Sequence, residues 1–171
     1  QRIFNDLCDK ILLDVQNIQT NAHNLNLIDV LSNFAQLAIK NSYCQPILVK
    51  EPIINIEDGR HPIVEKLMPS TERFVPNDLL INANKNQIQL ITGPNMAGKS
   101  TYLRQNALIV IMAQAGLYVP AKEANIGIFD KIFSRVGASD DLAKGQSTFM
   151  IEMIETSAIL NTSTERSLVI L

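Results

Sequence analysis

The sequence predicts an α/β fold preceded by a long helical segment, and three observations support this prediction. Apolar residues recur at steps of three and four over residues 1–42, which is typical of an amphipathic helix. From Leu79 onward, short apolar runs alternate with helical patterns, as in sheets whose strands are joined through helices. A glycine-rich turn at residues 93–98 joins one such run to one such helix.

Composition limits the class of protein. With 171 residues, 46% of them apolar and 19% charged, the chain is suited to a packed core of about one domain. The net charge of −2 gives no whole-chain signature of nucleic-acid binding, although other parts of a longer protein could still bind DNA. Cys8 and Cys44 form no metal or redox motif and fit a reducing cytosol. Gln1 is not an initiator Met, so we expect the chain to have been excised from a longer one.

The first segment is predicted to be one helix of about forty residues, because neither Gly nor Pro occurs before Pro46. The alternative is two helices broken near residues 21–24. A long helix with one apolar stripe is typical of a packing or lever element. His23 is interpreted as a surface or cap residue, because no partner His, Asp or Cys lies at ligand spacing. The composition changes at residues 43–46, which predicts a domain boundary there.

The elements after the boundary follow from short patterns of strand, turn and helix residues. Met150 and Met153 are interpreted as core residues of the last helix. The predicted elements are a strand region at 47–56, a turn at 58–62, a loop at 69–78, a buried strand at 88–92, a helix at 101–115 stopped by Gly116, strands at 126–129 and 131–136, a loop at 137–146, a helix from Ser147 or Thr148 to about Leu160, and a buried parallel strand at 167–171.

Residues 93–100, Gly-Pro-Asn-Met-Ala-Gly-Lys-Ser, fit the phosphate-binding pattern G-x-x-x-x-G-K-[ST]. Unpaired N–H groups at a helix start, together with the helix dipole, attract the β- and γ-phosphates of a nucleotide. Lys99 is then expected to neutralise phosphate oxygens and Ser100 to ligate Mg²⁺, while Gly93 and Gly98 allow close approach of the backbone. The alternative is an ordinary strand–helix turn whose glycines serve tight packing, but such a turn requires neither Lys99 nor the hydroxyl that follows it.

With these segments placed, the chain resembles the MutS family of DNA mismatch repair ATPases over essentially all of its length. Five separated matches in the family's order are far more specific than the phosphate loop alone. The matches are residues 93–102, with Pro-Asn-Met after the first glycine; 139–142 with 145–153; 58–62; 74–78; and 29–31 with 43–46.

The resemblance implies a P-loop NTPase of the ABC type, with a mostly parallel sheet and flanking helices. It implies that residues 1–45 are the end of a helical core or lever domain and that residues 46–171 are the N-terminal part of the ATPase domain. The implied ligands are ATP or ADP and Mg²⁺, with Ser100 as the metal ligand. The implied nucleotide-binding residues are Phe74, Val75, Gly93, Pro94, Asn95, Met96, Ala97, Gly98, Lys99, Ser100 and Thr101.

The resemblance also implies individual roles. Phe74 and Val75 would hold the adenine, and Asn95 would reach the γ-phosphate or the attacking water. Ser147 would reach the partner subunit's γ-phosphate, so that Lys99, Asn95 and Ser147 form the catalytic set. From the residues alone, Phe74 is better interpreted as a core aromatic and Ser147 as an N-cap. Asp140 and Asp141 are interpreted as loop or cap residues.

Two departures from the family pattern affect the expected function. Residue 146 is Gln, where a basic residue is expected in many relatives. The acidic pair expected directly after Leu171 lies outside the chain, so the parent protein is expected to hydrolyse ATP while the chain alone is expected to be inactive.

The resemblance implies a mismatch-recognition protein whose ATP binding and hydrolysis switch a clamp on DNA. The implied partners are mismatched double-stranded DNA, a second copy in a homodimer, and a downstream factor of the MutL type. The implied location is the bacterial cytosol, at the nucleoid. Two alternatives stay open: a MutS-related ATPase outside mismatch repair, which would lack an upstream Phe-x-Glu motif, and, for the chain alone, a non-catalytic nucleotide-binding or dimerisation module.

Overall fold

The computed structural model describes residues 1–69, 71–135 and 148–171. The chain divides into two compact units, Gln1–Asn41 and Ser42–Leu171. The first unit is helical and the second combines helices with β-sheet, which confirms the α/β class. None of the helices in the described ranges combines the length and the hydropathy needed to cross a membrane.

The first unit consists of two consecutive helices, α1 (Arg2–Leu13) and α2 (Val15–Asn41). The single predicted helix is therefore wrong, and so is the predicted break at residues 21–24, which lie inside α2. The interruption occurs at Asp14, whose φ of −104° and ψ of 6° leave the helical region. Its N–H bonds to Ile11 O at 3.1 Å in a tighter turn. Asp favours such positions because its short polar side chain competes with the helical backbone. His23 is exposed, as predicted.

The second unit contains a four-stranded mixed sheet with strand order β1–β4–β2–β3. The strands are β1 (Ile47–Val49), β2 (Ile53–Gly59), β3 (Asn77–Asn82) and β4 (Glu123–Gly127). The first strand pairs parallel with β4, whereas β2 pairs antiparallel with both β3 and β4. A separate two-stranded parallel sheet is formed by β5 (Lys131–Ser134) and β6 (Ser167–Ile170).

The mostly parallel sheet is wrong for the described residues, because β2 makes two antiparallel pairings. The predicted strand region at 47–56 is in fact two strands separated by residues 50–52. This short connection takes the chain from one side of β4 to the other, and the chain direction reverses between β1 and β2. The predicted parallel strand near the end is confirmed as β6, although only Leu168 and Ile170 are buried and the side chains between and after them are exposed.

The predicted buried strand at residues 88–92 is also wrong. The side chains of Ile88 and Leu90 are 90% and 86% exposed. None of the described strands pairs with this segment. A strand is stabilised by ladder hydrogen bonds and by cross-strand side chains, so an apolar run without a neighbouring strand stays irregular.

Three further helices belong to this unit: α3 (Pro62–Leu67), α4 (Lys99–Gln114) and α5 (Thr148–Thr162). The fourth helix ends before Gly116, as predicted, and the N–H groups of Gly116 and Leu117 bond to the carbonyls of Ala113 and Met112. Its buried side packs with β2 and β4 in the main core, which includes Ile54, Ile56, Ile109, Val110 and Ile126. Met150 and Met153 are exposed on α5, so their interpretation as core residues is wrong.

Candidate phosphate-binding site

The phosphate loop ends where α4 begins. Gly98 is the residue before the helix, with φ 87° and ψ 8°, and no side chain caps the helix start. The N–H groups of the first helical turn therefore have no side-chain acceptor, and they lie at the positive end of the helix dipole. This is the local arrangement that binds anions at helix N-termini.

Close packing explains neither glycine of the loop. A Cβ added to Gly98 would meet no atom within 4 Å, and one added to Gly93 would meet only the Ala97 Cβ, at 4.0 Å. Gly98 instead has the left-handed conformation that L side chains adopt at a cost of about 1–2 kcal/mol. Met96 is fully exposed and has a φ of 63°, which is uncommon outside glycine. Unfavourable backbone of this kind concentrates at ligand-binding sites, which favours the phosphate-loop interpretation over a plain packing turn.

The Lys99 ammonium lies across the start of the loop. Its Nζ donates to the carbonyls of Gly93 and Pro94, both at 2.7 Å. Asn95 and Ser100 are exposed, whereas Thr101 is half-buried. A positive charge and two polar side chains are thus presented around the uncapped helix start.

The residues of the loop fit Mg²⁺ only in combination with phosphate. Across the described ranges, no cluster of three or more His, Cys, Asp or Glu side chains could hold a metal ion. The exposed Ser100 hydroxyl could supply one oxygen ligand. Mg²⁺ is commonly held by one or two protein oxygens together with waters and phosphate oxygens, so a single hydroxyl is compatible with that donor set.

The residues expected to hold the adenine lie on a different segment, the loop before β3. Phe74 is half-buried and is not a member of the main core, so its interpretation as a core aromatic is wrong. Val75 is 77% exposed, and its carbonyl accepts a hydrogen bond from Asn77 Nδ2 at 2.9 Å. An aromatic ring and an aliphatic side chain are therefore partly accessible to a ligand.

Tyr102 connects the two segments, and sequence reasoning missed it. Its hydroxyl donates to the carbonyl of Asp78 at 2.8 Å, while its ring packs against the main core. Burial raises the pKa of the Tyr102 phenol, and hydrogen bonding with the side chains of Asn106 and Gln89 opposes that rise. The available signal was a tyrosine in the first turn after the loop, because a tyrosine whose ring packs against a core usually finds a hydrogen-bond partner for its hydroxyl.

An open groove of about 410 Å³ runs along β2 and β3 and contains no residue of the phosphate loop. Its size would suit a small ligand, but three carboxylates line it, those of Glu57, Asp58 and Asp78. The one lysine there, Lys122, already lies 3.7 Å from the Glu57 carboxylate. An acidic lining repels phosphate, so the uncapped start of α4 is the better candidate.

The second family signature lies largely outside the described residues. Asp140, Asp141, Gln146 and Ser147 belong to that part of the chain, and their predicted roles stay predictions. Nearby, Arg135 Nε donates to Glu155 Oε2 at 2.7 Å. This ion pair joins the end of β5 to α5.

Comparison with known proteins identifies the family. The model of MutS domain V matches residues 89–171. The chain is 54% identical over 170 residues to the DNA mismatch repair protein MutS of Acetivibrio thermocellus, covering 99% of this chain and 19% of that protein. The protein of the same name from Thermodesulfovibrio yellowstonii is 54% identical over 175 residues, covering 100% of this chain and 20% of that protein. The chain belongs to the MutS family.

A third MutS protein, from Clostridium botulinum, is 54% identical over 170 residues and covers 99% of this chain and 18% of its own length. The resemblance read from the motifs is thus confirmed. The chain spans about a fifth of the length of the curated MutS relatives that it matches. The family-model match begins just before the phosphate loop, so that loop lies within the segment matched by MutS domain V, whereas Phe74 and Val75 precede it.

Proposed function

We propose that the chain forms an ATP-binding half-site of a DNA mismatch repair ATPase. The observation that carries the proposal is the uncapped start of α4 behind a left-handed glycine, with the Lys99 ammonium across the loop. That geometry suits phosphate, and the similarity to mismatch repair proteins along almost the whole chain supports ATP as the nucleotide.

Each loop residue has a role in this proposal. Lys99 would hold oxygens of the β- and γ-phosphates, and Ser100 would hold Mg²⁺, which would supply charge neutralisation when it is bound with the nucleotide. Asn95 orients water near the γ-phosphate through its amide. Phe74 and Val75 would hold the adenine between an aromatic ring and an aliphatic side chain. Hydrolysis then depends on positioning and charge stabilisation, with no covalent intermediate.

The rest of the proposal concerns the whole protein. Residues 1–45 are assigned to a helical core or lever domain and residues 46–171 to the N-terminal part of an ABC-type ATPase domain. We assign catalysis to a homodimer in which Ser147 reaches the partner subunit's nucleotide and an acidic pair after Leu171 completes each site. Mismatched DNA and a MutL-type factor are the proposed partners, bound through other regions in the bacterial cytosol. ATP binding and hydrolysis would switch the clamp state on DNA.

The first experiment measures ATP binding and phosphate release in the intact protein that contains this chain. Lys99→Ala is expected to weaken ATP binding at least about tenfold and to abolish turnover, because the β- and γ-phosphates lose their neutralising charge. Lys85→Ala is the matched control, since Lys85 is an exposed lysine in the turn after β3. Equal effects of the two substitutions would contradict the assignment of the loop.

A second substitution separates the phosphate loop from a packing turn. Gly98→Ala places a Cβ in open space, so it is not expected to disturb the core, but it disfavours the left-handed conformation. We expect weaker ATP binding together with a stability loss of at most about 1–2 kcal/mol, which is the cost of the left-handed conformation for an L side chain. Unchanged ATP binding would favour the ordinary turn.

The alternative of a family member outside mismatch repair is tested on the same intact protein. A Phe-x-Glu motif upstream and preferential binding of duplexes that contain a mismatch are expected for a repair protein. Equal affinity for matched and mismatched duplexes would favour the alternative. For the chain alone, we expect no steady phosphate release; release that Lys99→Ala abolishes would contradict this expectation.

A further inference from the structure

Tyr102 holds two segments of the candidate site together. Its backbone N–H bonds to the carbonyl of Gly98 at 2.9 Å and thereby closes the first turn after the phosphate loop. Its side-chain hydroxyl donates to the carbonyl of Asp78 in β3 at 2.8 Å. One residue therefore contacts both the end of the phosphate loop and the strand that follows the loop of Phe74 and Val75.

The strand end that Tyr102 contacts is itself well anchored. The Asp78 carboxylate accepts the N–H of Asp58 at 2.8 Å, and Asp58 has a φ of 50° at the irregular end of β2. On the other side, Asn77 Nδ2 donates to the carbonyl of Val75 at 2.9 Å. These bonds make a continuous path from Gly98 through Tyr102 and β3 to Val75.

We infer that Tyr102 is a positioning residue that sets the distance between the phosphate loop and the adenine-holding loop, so that the site selects a nucleoside triphosphate over a bare triphosphate. The inference rests on the proposed function. The base and phosphates of one nucleotide are covalently linked, so both parts bind well only if the two loops keep a matching separation. A misplacement of about 1 Å is enough to weaken such an arrangement strongly.

A purely structural role for Tyr102 predicts a different result. If its hydroxyl only stabilised the fold, its loss would affect every ligand of the site to the same degree. If it fixes the separation of the two loops, its loss affects only ligands that reach both of them. Inorganic tripolyphosphate reaches only the phosphate loop, so it separates the two cases.

The experiment measures Kd for ATP and for inorganic tripolyphosphate, each with Mg²⁺, by calorimetry on the intact protein. Tyr102→Phe removes the hydroxyl and keeps the half-buried ring. We expect Kd for ATP to rise about three- to tenfold, as for the loss of one hydrogen bond, and Kd for tripolyphosphate to change less than about twofold. Tyr43→Phe is the matched control, because Tyr43 is similarly half-buried and lies outside the path.

A second variant tests the far end of the path without changing α4. Asn77→Ala removes the bond to the Val75 carbonyl, and we expect the same selective loss of ATP affinity. Equal weakening of both ligands in Tyr102→Phe, or no weakening of either, would overturn the inference while leaving the phosphate site intact. Failure of the unmodified protein to bind either ligand would overturn the proposed function and the inference with it.

Discussion

Gln105 offers a sharp test of how α4 is packed. Its side chain is 0% exposed in the middle of the helix. Neither its Nε2 nor its Oε1 has a hydrogen-bond partner within the described part of the chain. A buried polar atom without a partner costs about 1–3 kcal/mol of stability, because it gives up water and gains nothing in return. Replacement by an apolar side chain of similar shape should therefore stabilise the unit.

Gln105→Met is the appropriate change, since the two side chains are unbranched and of similar length. Removal of two unpaired polar atoms should raise the free energy of unfolding by about 2–6 kcal/mol, and imperfect repacking of a similar volume should lower it by up to about 1.5 kcal/mol. Because methionine is flexible and fills irregular space, we expect a net gain at the lower end, about 1–3 kcal/mol.

The assay is native-state hydrogen exchange of peptides that cover Ile109 and Val110, in the intact protein. A gain of 1 kcal/mol or more slows exchange of the buried α4 amides at least about fivefold. This local measurement does not require the whole protein to unfold in one step.

Gln114→Met is the matched control on the same helix. The amide of Gln114 is fully paired with the backbone of Phe129: Nε2 donates to the carbonyl at 3.0 Å, and Oε1 accepts the N–H at 2.6 Å. Loss of these two hydrogen bonds should destabilise the unit by about 1–2 kcal/mol, which is opposite in sign to the change expected for Gln105→Met. Faster exchange in Gln105→Met would refute the reasoning, because it would mean that the Gln105 amide has a partner in the native protein.

Three further predictions concern the surroundings of the site. Gly59→Ala would place a Cβ 2.8 Å from Ile56 Cγ2, so we expect a loss of about 1–3 kcal/mol in thermal unfolding; an unchanged melting temperature would contradict the close packing. Burial lowers the pKa of His61 from 6.5, so the unfolded state binds a proton first as the pH falls. The stability that neutral His61 contributes is therefore present above pH 6.5 and declines below it. His61→Asn keeps an acceptor at the start of the helix but does not titrate in this range, so the melting temperature should depend less on pH between about pH 7 and 5. For the partly exposed pair of Arg135 and Glu155, a double-mutant cycle should give at most about 1 kcal/mol of coupling; a value several times larger would mean that solvent screens the pair less than its exposure implies.

The features that the sequence predicted well depend on neighbouring residues. The start of α4 follows from a glycine that adopts a left-handed conformation, and its end follows from Gly116. Both signals depend on residues within one or two helical turns, so they hold independently of the rest of the fold. The exposure of the loop residues and the position of Lys99 likewise depend on residues that are close in the sequence.

The errors arise where structure depends on distant partners. Residues 88–92 have a strand-like composition, but a strand exists only beside another strand, and composition carries no information about the neighbour. Met150 and Met153 fit a core pattern, yet their exposure is decided by what covers α5. The connection at residues 50–52 sets an antiparallel direction that the apolar run could not indicate.

The same distinction divides the candidate site into two parts of different origin. Its phosphate half is local, since Gly98, Lys99 and the first turn of α4 are consecutive in the chain. The half proposed to hold the adenine is tertiary, because the loop before β3 is related to α4 through the hydrogen bond from the Tyr102 hydroxyl to the Asp78 carbonyl, 24 residues away. Under the proposed function, phosphate binding would require only one intact loop and helix start, whereas discrimination of the base would require the packed unit. A perturbation that loosens β3 against α4 should consequently impair nucleotide selectivity before it impairs phosphate binding, which is why the ratio of ATP to tripolyphosphate affinity is the informative quantity.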